Sequence, residues 1–327
     1  MRLFVTGGCG FIGSNFVRHV LQHYHSASIS NVDVVTCSGN SQNTADFPEK
    51  FGERYEFCRA DIANSERIHS LMAQHQYYAV VNFASEAHID RSVNSPQNFV
   101  HTNVVGPSIL LECARAHGIR RFVQVSTAEV YGSHGSEGYF RETSPLNPTS
   151  PHAASKAGAD LLALSYYKTY GMEVVITRCS NNYGPYQPPS KLIPRMITRA
   201  LADENLPIFG DGLHVRDWIH VEDLCTAVVA AMFGGRPGEV YNIGANEERK
   251  NIEVVEAILN VLKKPHRLIH YVADRLGHDR RHAIDSTKAR DELNWKPLHR
   301  FAAGLPETVS WYVNHRAWWE PLLNRHE

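Results

Sequence analysis

A histidine and a lysine four positions apart form a pair that could transfer protons. His152 and Lys156 lie in the segment SPHAASKAG, and this spacing places both side chains on one face of a helix. An imidazole exchanges its proton near neutral pH, and a nearby ammonium group favours the neutral ring. The pair could therefore supply a base in a cleft, but these residues by themselves favour the alternative, a surface histidine at a helix start beside Pro151.

A glycine-rich segment indicates a second kind of chemistry, the binding of a diphosphate. TGGCGFIG places Gly7, Gly10 and Gly13 between an apolar run and a helical pattern that starts with Phe11 and Ile12. The first glycine permits a tight turn, the second lets the backbone approach a pyrophosphate, and the third lets the helix pack on the strand. The helix N-terminus then faces the phosphates. This context predicts a dinucleotide site.

Two acidic positions extend this prediction. Asp33 lies 20 residues after Gly13, at the predicted end of the second strand, where a carboxylate accepts hydrogen bonds from an adenosine ribose. This favours NAD over NADP as the cofactor. Asp61 and Ile62 are predicted to end the third strand, where the edge of the adenine would lie. For the glycine segment and Asp33, the alternative interpretation is a tight turn with a capping aspartate.

The elements that must position these residues are strands alternating with helices. Repeated strand–helix units predict an α/β fold, a Rossmann-like doubly wound parallel sheet covered on both faces. We assign residues 1–180 to this NAD-binding domain and residues 181–327 to a smaller C-terminal α/β lobe, with some later segments crossing back. The predicted strands are RLFVTG, ISNVDVV, YAVVNFA, RRFVQVST and MEVVITR.

Composition excludes several functional classes. The net charge of −1 over 327 residues gives no field that would attract nucleic acid or an anionic membrane. We expect no membrane span, because no run of about 18 apolar residues occurs, and no signal peptide follows Met1. The six cysteines are scattered without metal-ligand spacing. We therefore expect reduced thiols, no metal site and a cytoplasmic protein.

The sequence resembles the extended short-chain dehydrogenase/reductases, and among them most closely the dTDP-glucose 4,6-dehydratases. The matching segments follow the family order from residue 1 to beyond residue 280, and the later ones are specific to nucleotide-sugar 4,6-dehydratases and their relatives. These segments are TGGCGFIGSNF, NFASEAHIDRS, TNVVG, VSTAEVYGS, RCSNNYGPYQPPSKLIP, FGDGLHVRDWIHVEDL, YNIGANEERKN and RLGHDRRHAIDSTK.

The resemblance implies a bound NAD and a nucleoside-diphosphate hexose, with dTDP or UDP as the nucleotide. It implies hydride removal from sugar C4, loss of water across C5 and C6, and hydride return to C6. Glu129 would remove the C5 proton, Thr127 would bond the 4-hydroxyl, and Lys156 would hold the nicotinamide ribose. The remaining implied cofactor contacts are Ala84, Ser126 and Asn182, and the implied contacts to the sugar nucleotide are Asn181, Lys191, Leu192, Arg216, Asn251, Arg275 and His278.

Two departures from the family pattern affect proton transfer. His152 stands where the family has the tyrosine that takes the 4-hydroxyl proton, and Ala128 stands where it has the aspartate that protonates the departing 6-hydroxyl. His282 also replaces a tyrosine, in RRHAID. A neutral imidazole can accept a proton, whereas alanine has none to donate.

Three functions remain open at this point. The first is a nucleotide-sugar 4,6-dehydratase with altered proton donors, and the second is 4- or 5-epimerisation or another variant reaction on the same scaffold. The third is a catalytically impaired homologue that still binds NAD and the sugar nucleotide. The resemblance also implies a homodimer that forms a four-helix bundle from helices 97–117 and 153–170.

Overall fold

A seven-stranded parallel sheet forms the centre of the molecule in a computed structural model, which describes residues 1–36, 39–275 and 277–323. The strands are β1 Arg2–Thr6, β2 Ser28–Asp33, β3 Tyr55–Arg59, β4 Ala79–Asn82, β5 Arg121–Thr127, β6 Glu173–Cys179, β7 Asn181–Tyr183, β8 Leu206–Phe209, β9 Val215–His220, β10 Glu239–Ile243, β11 Glu248–Lys250, β12 Ile269–Val272 and β13 Arg281–His282.

The order of strands in the large sheet is β10-β6-β5-β4-β1-β2-β3, and all of its neighbouring pairs are parallel. This confirms the predicted doubly wound sheet. The order reverses between β1 and β4, which opens a crevice at the carboxyl ends of the strands, where ligands bind in this class of fold.

Helices cover both faces of this sheet. One face packs on α1 and α9 and the other on α3, α6 and α7, around two separate apolar cores. The helices are α1 Phe11–His23, α2 Phe47–Phe51, α3 Ser65–Met72, α4 Ile89–Asn94, α5 Pro96–Val100, α6 Gly106–Ala116, α7 Pro151–Tyr170, α8 Leu192–Leu201, α9 Val221–Gly234, α10 Asn251–Leu262, α11 Thr287–Leu293, α12 Phe301–Asn314 and α13 Arg316–Leu323.

The second half of the chain builds smaller sheets over the crevice. β9 pairs with β7, β11 and β13, and β8 pairs with β12. These strands pack with α8, α10 and α12 around a third apolar core. β10 and α9 also come from this half of the sequence, but they complete the large sheet and its covering layer.

The helix expected over residues 97–117 contains a local change of winding. α5 and α6 are joined by a π-helical turn, His101–Val105. Within this turn Asn103 donates to the Ser155 hydroxyl of α7 over 2.9 Å, and it also bonds the backbone of Glu86. Extra residues in a π turn commonly occur at functional sites. Among the described residues, no helix combines the length and apolarity needed to cross a bilayer.

Candidate active site

Three adjoining cavities lie along the crevice and share lining residues. The inner cavity is lined by Asp33, Asp61, Ile62 and Ala84, and it shares Gly7 and Gly10 with the central cavity. The central cavity shares Glu129, Asn181 and Lys191 with the outer cavity. The crevice therefore brings together every residue that the sequence predicted for the site. The other predicted residues of the central cavity are Phe11, Ile12, Gly13, Ser126, Thr127, His152, Lys156 and Asn182, and those of the outer cavity are Leu192, Arg216, Asn251, Arg275 and His278.

The glycine loop requires glycine for steric reasons. Gly7 has a φ of +72°, and a Cβ there would lie 2.5 Å from the backbone nitrogen of Ala84. A Cβ on Gly13 would lie 2.2 Å from the Gly7 carbonyl oxygen. Helix α1 then begins at Phe11 without a side-chain cap and without an acidic residue in its first turn. Its N-terminal amides are thus available to a diphosphate beside the central cavity.

The inner cavity carries acidic groups at the ends of two strands. Asp33 is the last residue of β2, and its carboxylate accepts from the backbone amides of Cys9 at 2.9 Å and Val35 at 2.7 Å. Burial nevertheless raises the pKa of Asp33. Asp61 and Ile62 lie just beyond β3, which ends at Arg59 and not at Asp61 as the sequence indicated. These carboxylates suit hydroxyl donors such as those of a ribose.

His152 is hydrogen-bonded to Glu129 at the centre of the crevice. The distance from His152 Nδ1 to Glu129 Oε2 is 3.0 Å, and His152 is 7% exposed. Burial alone would raise the pKa of Glu129, but the hydrogen bond and charge of His152, with the charges of His282 and Lys191, lower it to about 2. Glu129 is therefore ionised at neutral pH and can accept a proton but not supply one.

The start of helix α7 fixes His152 in this place. The Ser150 hydroxyl accepts from the Ala153 amide over 3.1 Å, and Pro151 occupies the first turn. Both features favour a helix N-terminus. His152 is therefore a buried residue of the crevice, and the alternative of a surface histidine is wrong.

Lys156 lies one turn further along α7 and is also buried. Its ammonium donates to the Val125 carbonyl over 2.8 Å, at the carboxyl end of β5. Burial lowers the pKa of Lys156, against the charge of Asp160 below it. Asp160 is itself paired with Arg178 at 2.9 Å. This buried network holds the ammonium at the floor of the central cavity.

Position 128 cannot take part in proton transfer. Ala128 is 4% exposed and packs in a small apolar cluster with Tyr131, Ala157 and Ile284. It begins a 3₁₀ turn, Ala128–Tyr131, whose N-cap is Thr127. The Thr127 hydroxyl accepts from the Glu129 amide over 3.2 Å, which orients the loop toward the central cavity.

The outer cavity presents cationic and amide groups. The Arg216 guanidinium is held by the carbonyls of Val215 and Asp279, at 2.8 and 2.7 Å, and burial lowers its pKa. Lys191 precedes α8, whose N-terminus has no side-chain cap and no acid in its first turn. These groups suit an anionic ligand such as a diphosphate.

Two further outer-cavity residues are fixed by their neighbours. Arg275 lies over the ring of Phe209, with 4.0 Å between its Cζ and the ring centroid. His278 Nδ1 lies 2.7 Å from Asp274, and its ring stacks on that of His214. The side-chain oxygen of Asn251, by contrast, is buried without a hydrogen-bond partner among the described residues. Asn251 is thus available to a ligand group with a donor.

Sequence reasoning assigned no role to His282, Asp279, Gln187 or His88, which also line the crevice. His282 appeared only as a departure from the family pattern. Its approach to the cavities depends on the pairing of the short strand β13 with β9, which two residues of sequence do not predict.

Comparison with known proteins places this geometry in a family. Residues 4–308 match the GDP-mannose 4,6 dehydratase family. A dTDP-glucose 4,6-dehydratase of Streptomyces niveus is 46% identical, with 100% of this chain and 97% of that protein covered.

Solved structures agree with the sequence matches. DesIV, a dTDP-glucose 4,6-dehydratase of Streptomyces venezuelae crystallised with NAD and TYD, superposes with a TM-score of 0.95 at 45% identity, covering 98% of this chain and 100% of that one. A UDP-glucose 4-epimerase of Thermotoga maritima superposes with a TM-score of 0.89 at 28% identity, covering 96% and 99%. The chain therefore belongs to the GDP-mannose 4,6 dehydratase family, and it is homologous along its whole length to the dTDP-glucose 4,6-dehydratases.

Proposed function

We propose that the protein is an NAD-dependent lyase that converts dTDP-glucose to its 4-keto-6-deoxy derivative. One observation carries the proposal: a single crevice joins a dinucleotide cradle, a buried group of proton-transfer residues and a cationic outer cavity. The homology to dTDP-glucose 4,6-dehydratases over the full chain supports the same substrate.

NAD fits the inner and central cavities. Its diphosphate would lie against Gly7 and Gly13, which have no side chains, and at the uncapped start of α1. Asp33 would accept hydrogen bonds from the adenosine ribose. Lys156 and Asn182 would hold the nicotinamide half. The chemistry that bound NAD would supply is hydride transfer, from sugar C4 to the nicotinamide and from there back to sugar C6.

The residues of the central cavity divide the proton transfers between them. His152 binds Glu129 through Nδ1, so its other nitrogen, Nε2, is the one that would take the 4-hydroxyl proton, in place of the family's tyrosine. Thr127 would position that hydroxyl. Once C4 is a ketone, the C5 proton becomes acidic, and Glu129 is ionised and able to accept it.

The outer cavity would hold the nucleoside diphosphate. Arg216 and Arg275 would meet the phosphate oxygens, and Lys191 and the N-terminus of α8 would add positive charge near them. Asn251 and His278 offer further polar contacts. We favour thymidine as the nucleoside because of the dTDP-glucose 4,6-dehydratase homologues, with UDP-hexose as the alternative.

We further propose a cytoplasmic homodimer. The chain presents exposed apolar side chains on the π turn with its flanking helices and on α7: Val100 is 50% exposed, Val105 40%, Leu161 59% and Tyr170 55%. A second copy would cover such a surface in a four-helix bundle. The described cysteines are buried free thiols, as suits a reducing compartment.

A second candidate function is epimerisation at C4 or C5. Ala128 offers no proton at the position where the family has an acid, and the superposition on a UDP-glucose 4-epimerase favours this alternative. Oxidation at C4 with Glu129 as base would then invert a centre without losing water.

The purified protein should be incubated with NAD and dTDP-glucose in deuterated water, and the sugar nucleotide followed by mass spectrometry and proton NMR. We expect the loss of one water and deuterium at C5. An epimer that has lost no water, with deuterium at C5 after 5-epimerisation and without it after 4-epimerisation, would favour the second candidate. Unchanged substrate on protein that retains bound NAD would refute both and leave the impaired homologue.

A further inference from the structure

Two imidazole groups flank Glu129 in the crevice. His152 bonds it directly, and His282 lies close enough for its charge to lower the pKa of the carboxyl. His282 is in β13, opposite Arg216 of β9, and its side chain lines both the central and the outer cavity. It therefore borders the region between the proton-transfer residues and the diphosphate contacts.

The ring of His282 is held by a buried carboxylate. His282 Nε2 lies 2.9 Å from Asp279 Oδ2, which also accepts from the Thr149 hydroxyl over 2.8 Å. The two side chains are 7% and 10% exposed. Since Nε2 faces a carboxylate, this nitrogen carries a hydrogen and donates it to Asp279.

The second ring nitrogen of His282 remains available. Among the hydrogen bonds of the described residues, none involves His282 Nδ1, and this atom is not one of the buried unpartnered polar atoms. A protonated His282 therefore has one N–H group directed to Asp279 and a second that has no hydrogen-bond partner among the described residues.

Loss of the 6-hydroxyl requires a proton donor, because hydroxide is a poor leaving group. Glu129 is ionised, and Lys156 donates to a backbone carbonyl at the cavity floor. Arginine keeps its proton under all conditions. His152 is engaged with Glu129 and serves the 4-hydroxyl in the proposed function. Both imidazoles bond a carboxylate, but His152 uses its Nε2 for the 4-hydroxyl in the proposed function, whereas His282 has its second ring nitrogen, Nδ1, left for the substrate.

We propose that His282 is the catalytic acid that protonates the departing 6-hydroxyl, with Asp279 as its positioning residue. The proposal rests on the dehydratase function. The C5–H bond breaks and Glu129 takes the proton, the electron pair forms the C5–C6 double bond, and the C6–O bond breaks. The His282 proton completes the water molecule, and the ring regains its proton from solvent after product release.

The first test is the His282→Gln variant with dTDP-glucose as substrate. Glutamine can still bond Asp279 but cannot act as an acid at neutral pH, so we expect water loss to slow by about 10²–10⁴-fold, the usual contribution of general acid catalysis. C4 oxidation, followed as absorbance of the reduced nicotinamide in single turnover, should keep its rate. His25→Gln, an exposed histidine, is the matched control.

The second test replaces the 6-hydroxyl by fluorine, since fluoride leaves without a proton. We expect His282→Gln to release fluoride from dTDP-6-deoxy-6-fluoroglucose at the wild-type rate, which also shows that the variant is folded and binds NAD. Equal slowing with both substrates, or unchanged turnover of dTDP-glucose, overturns the proposal. Absence of product from the wild-type protein would instead refute the dehydratase function on which it rests.

Discussion

The His152–Glu129 contact can be tested by removing the imidazole while keeping the ring volume. In the His152→Phe variant, Glu129 loses the hydrogen bond and the charge that oppose the effect of burial. The ring can still pack on Phe99, which meets His152 edge-on with 6.2 Å between ring centroids. We therefore expect the pKa of Glu129 to rise to or above its ordinary value of 4.5.

The magnitude follows from the depressed pKa. A fall from 4.5 to about 2 corresponds to about 3–4 kcal/mol, at about 1.4 kcal/mol for each pH unit. Because the folded-state pKa lies below the unfolded-state value, this stabilisation is present above about pH 4.5 and is lost as the pH falls through about 2. His152→Phe should lose about this amount of unfolding free energy in mildly acidic buffer.

Two measurements check the prediction. NMR titration of the glutamate side-chain carboxyl carbons gives the pKa of Glu129, and urea denaturation at about pH 6 gives the free energy of unfolding. His25→Phe, on the exposed surface, serves as the control and should change neither. A Glu129 that still titrates near 2 in His152→Phe, or a stability loss below about 1 kcal/mol, would show that the imidazole does not hold this carboxylate.

Three other substitutions test the rest of the structure. Arg178→Met leaves Asp160 buried without its partner and should lower the urea-denaturation free energy by about 3–5 kcal/mol. Gly13→Ala places a methyl group 2.2 Å from the Gly7 carbonyl oxygen and should weaken NAD binding at least about tenfold in calorimetry, since a shift of the loop worth about 1.4 kcal/mol suffices. Leu161→Glu puts a charge on the exposed apolar face of α7 and should give a monomer in analytical ultracentrifugation.

Each of these substitutions has a matched control elsewhere in the chain. Arg236→Met breaks an exposed pair with Glu292 and should cost less than about 1 kcal/mol. Gly135→Ala meets no atom within 4 Å and should bind NAD normally. Leu298→Glu, at a side chain that is 72% exposed, should leave the proposed dimer intact. A variant that behaves like its control would show that the ion pair, the glycine contact or the apolar face in question does not have the effect expected of it.

The sequence predicted the features that depend on local spacing. The glycines of the first loop, Asp33 at the end of β2 and the shared helical face of His152 and Lys156 follow from periodicity and turn geometry. The parallel sheet likewise follows from the alternation of strands and helices. These predictions needed no knowledge of contacts between distant residues.

Features that depend on distant pairing could not be predicted in this way. The hydrogen bond from His152 to Glu129 joins residues 23 positions apart, on α7 and after β5. The binding of His282 to Asp279 depends on where a two-residue strand docks on β9. The π turn that contains Asn103 is a local insertion that apolar periodicity does not reveal.

The return of β10 to the edge of the large sheet has a consequence for dividing or recombining this protein. β10 pairs with β6 through five residues, and α9 covers the same layer as α1. A fragment ending near residue 180 would expose the open edge of β6 and an uncovered apolar face, a template for aggregation. Exchange of sugar-recognition segments between relatives must therefore use several crossover points, which keep β10 and α9 with the N-terminal half.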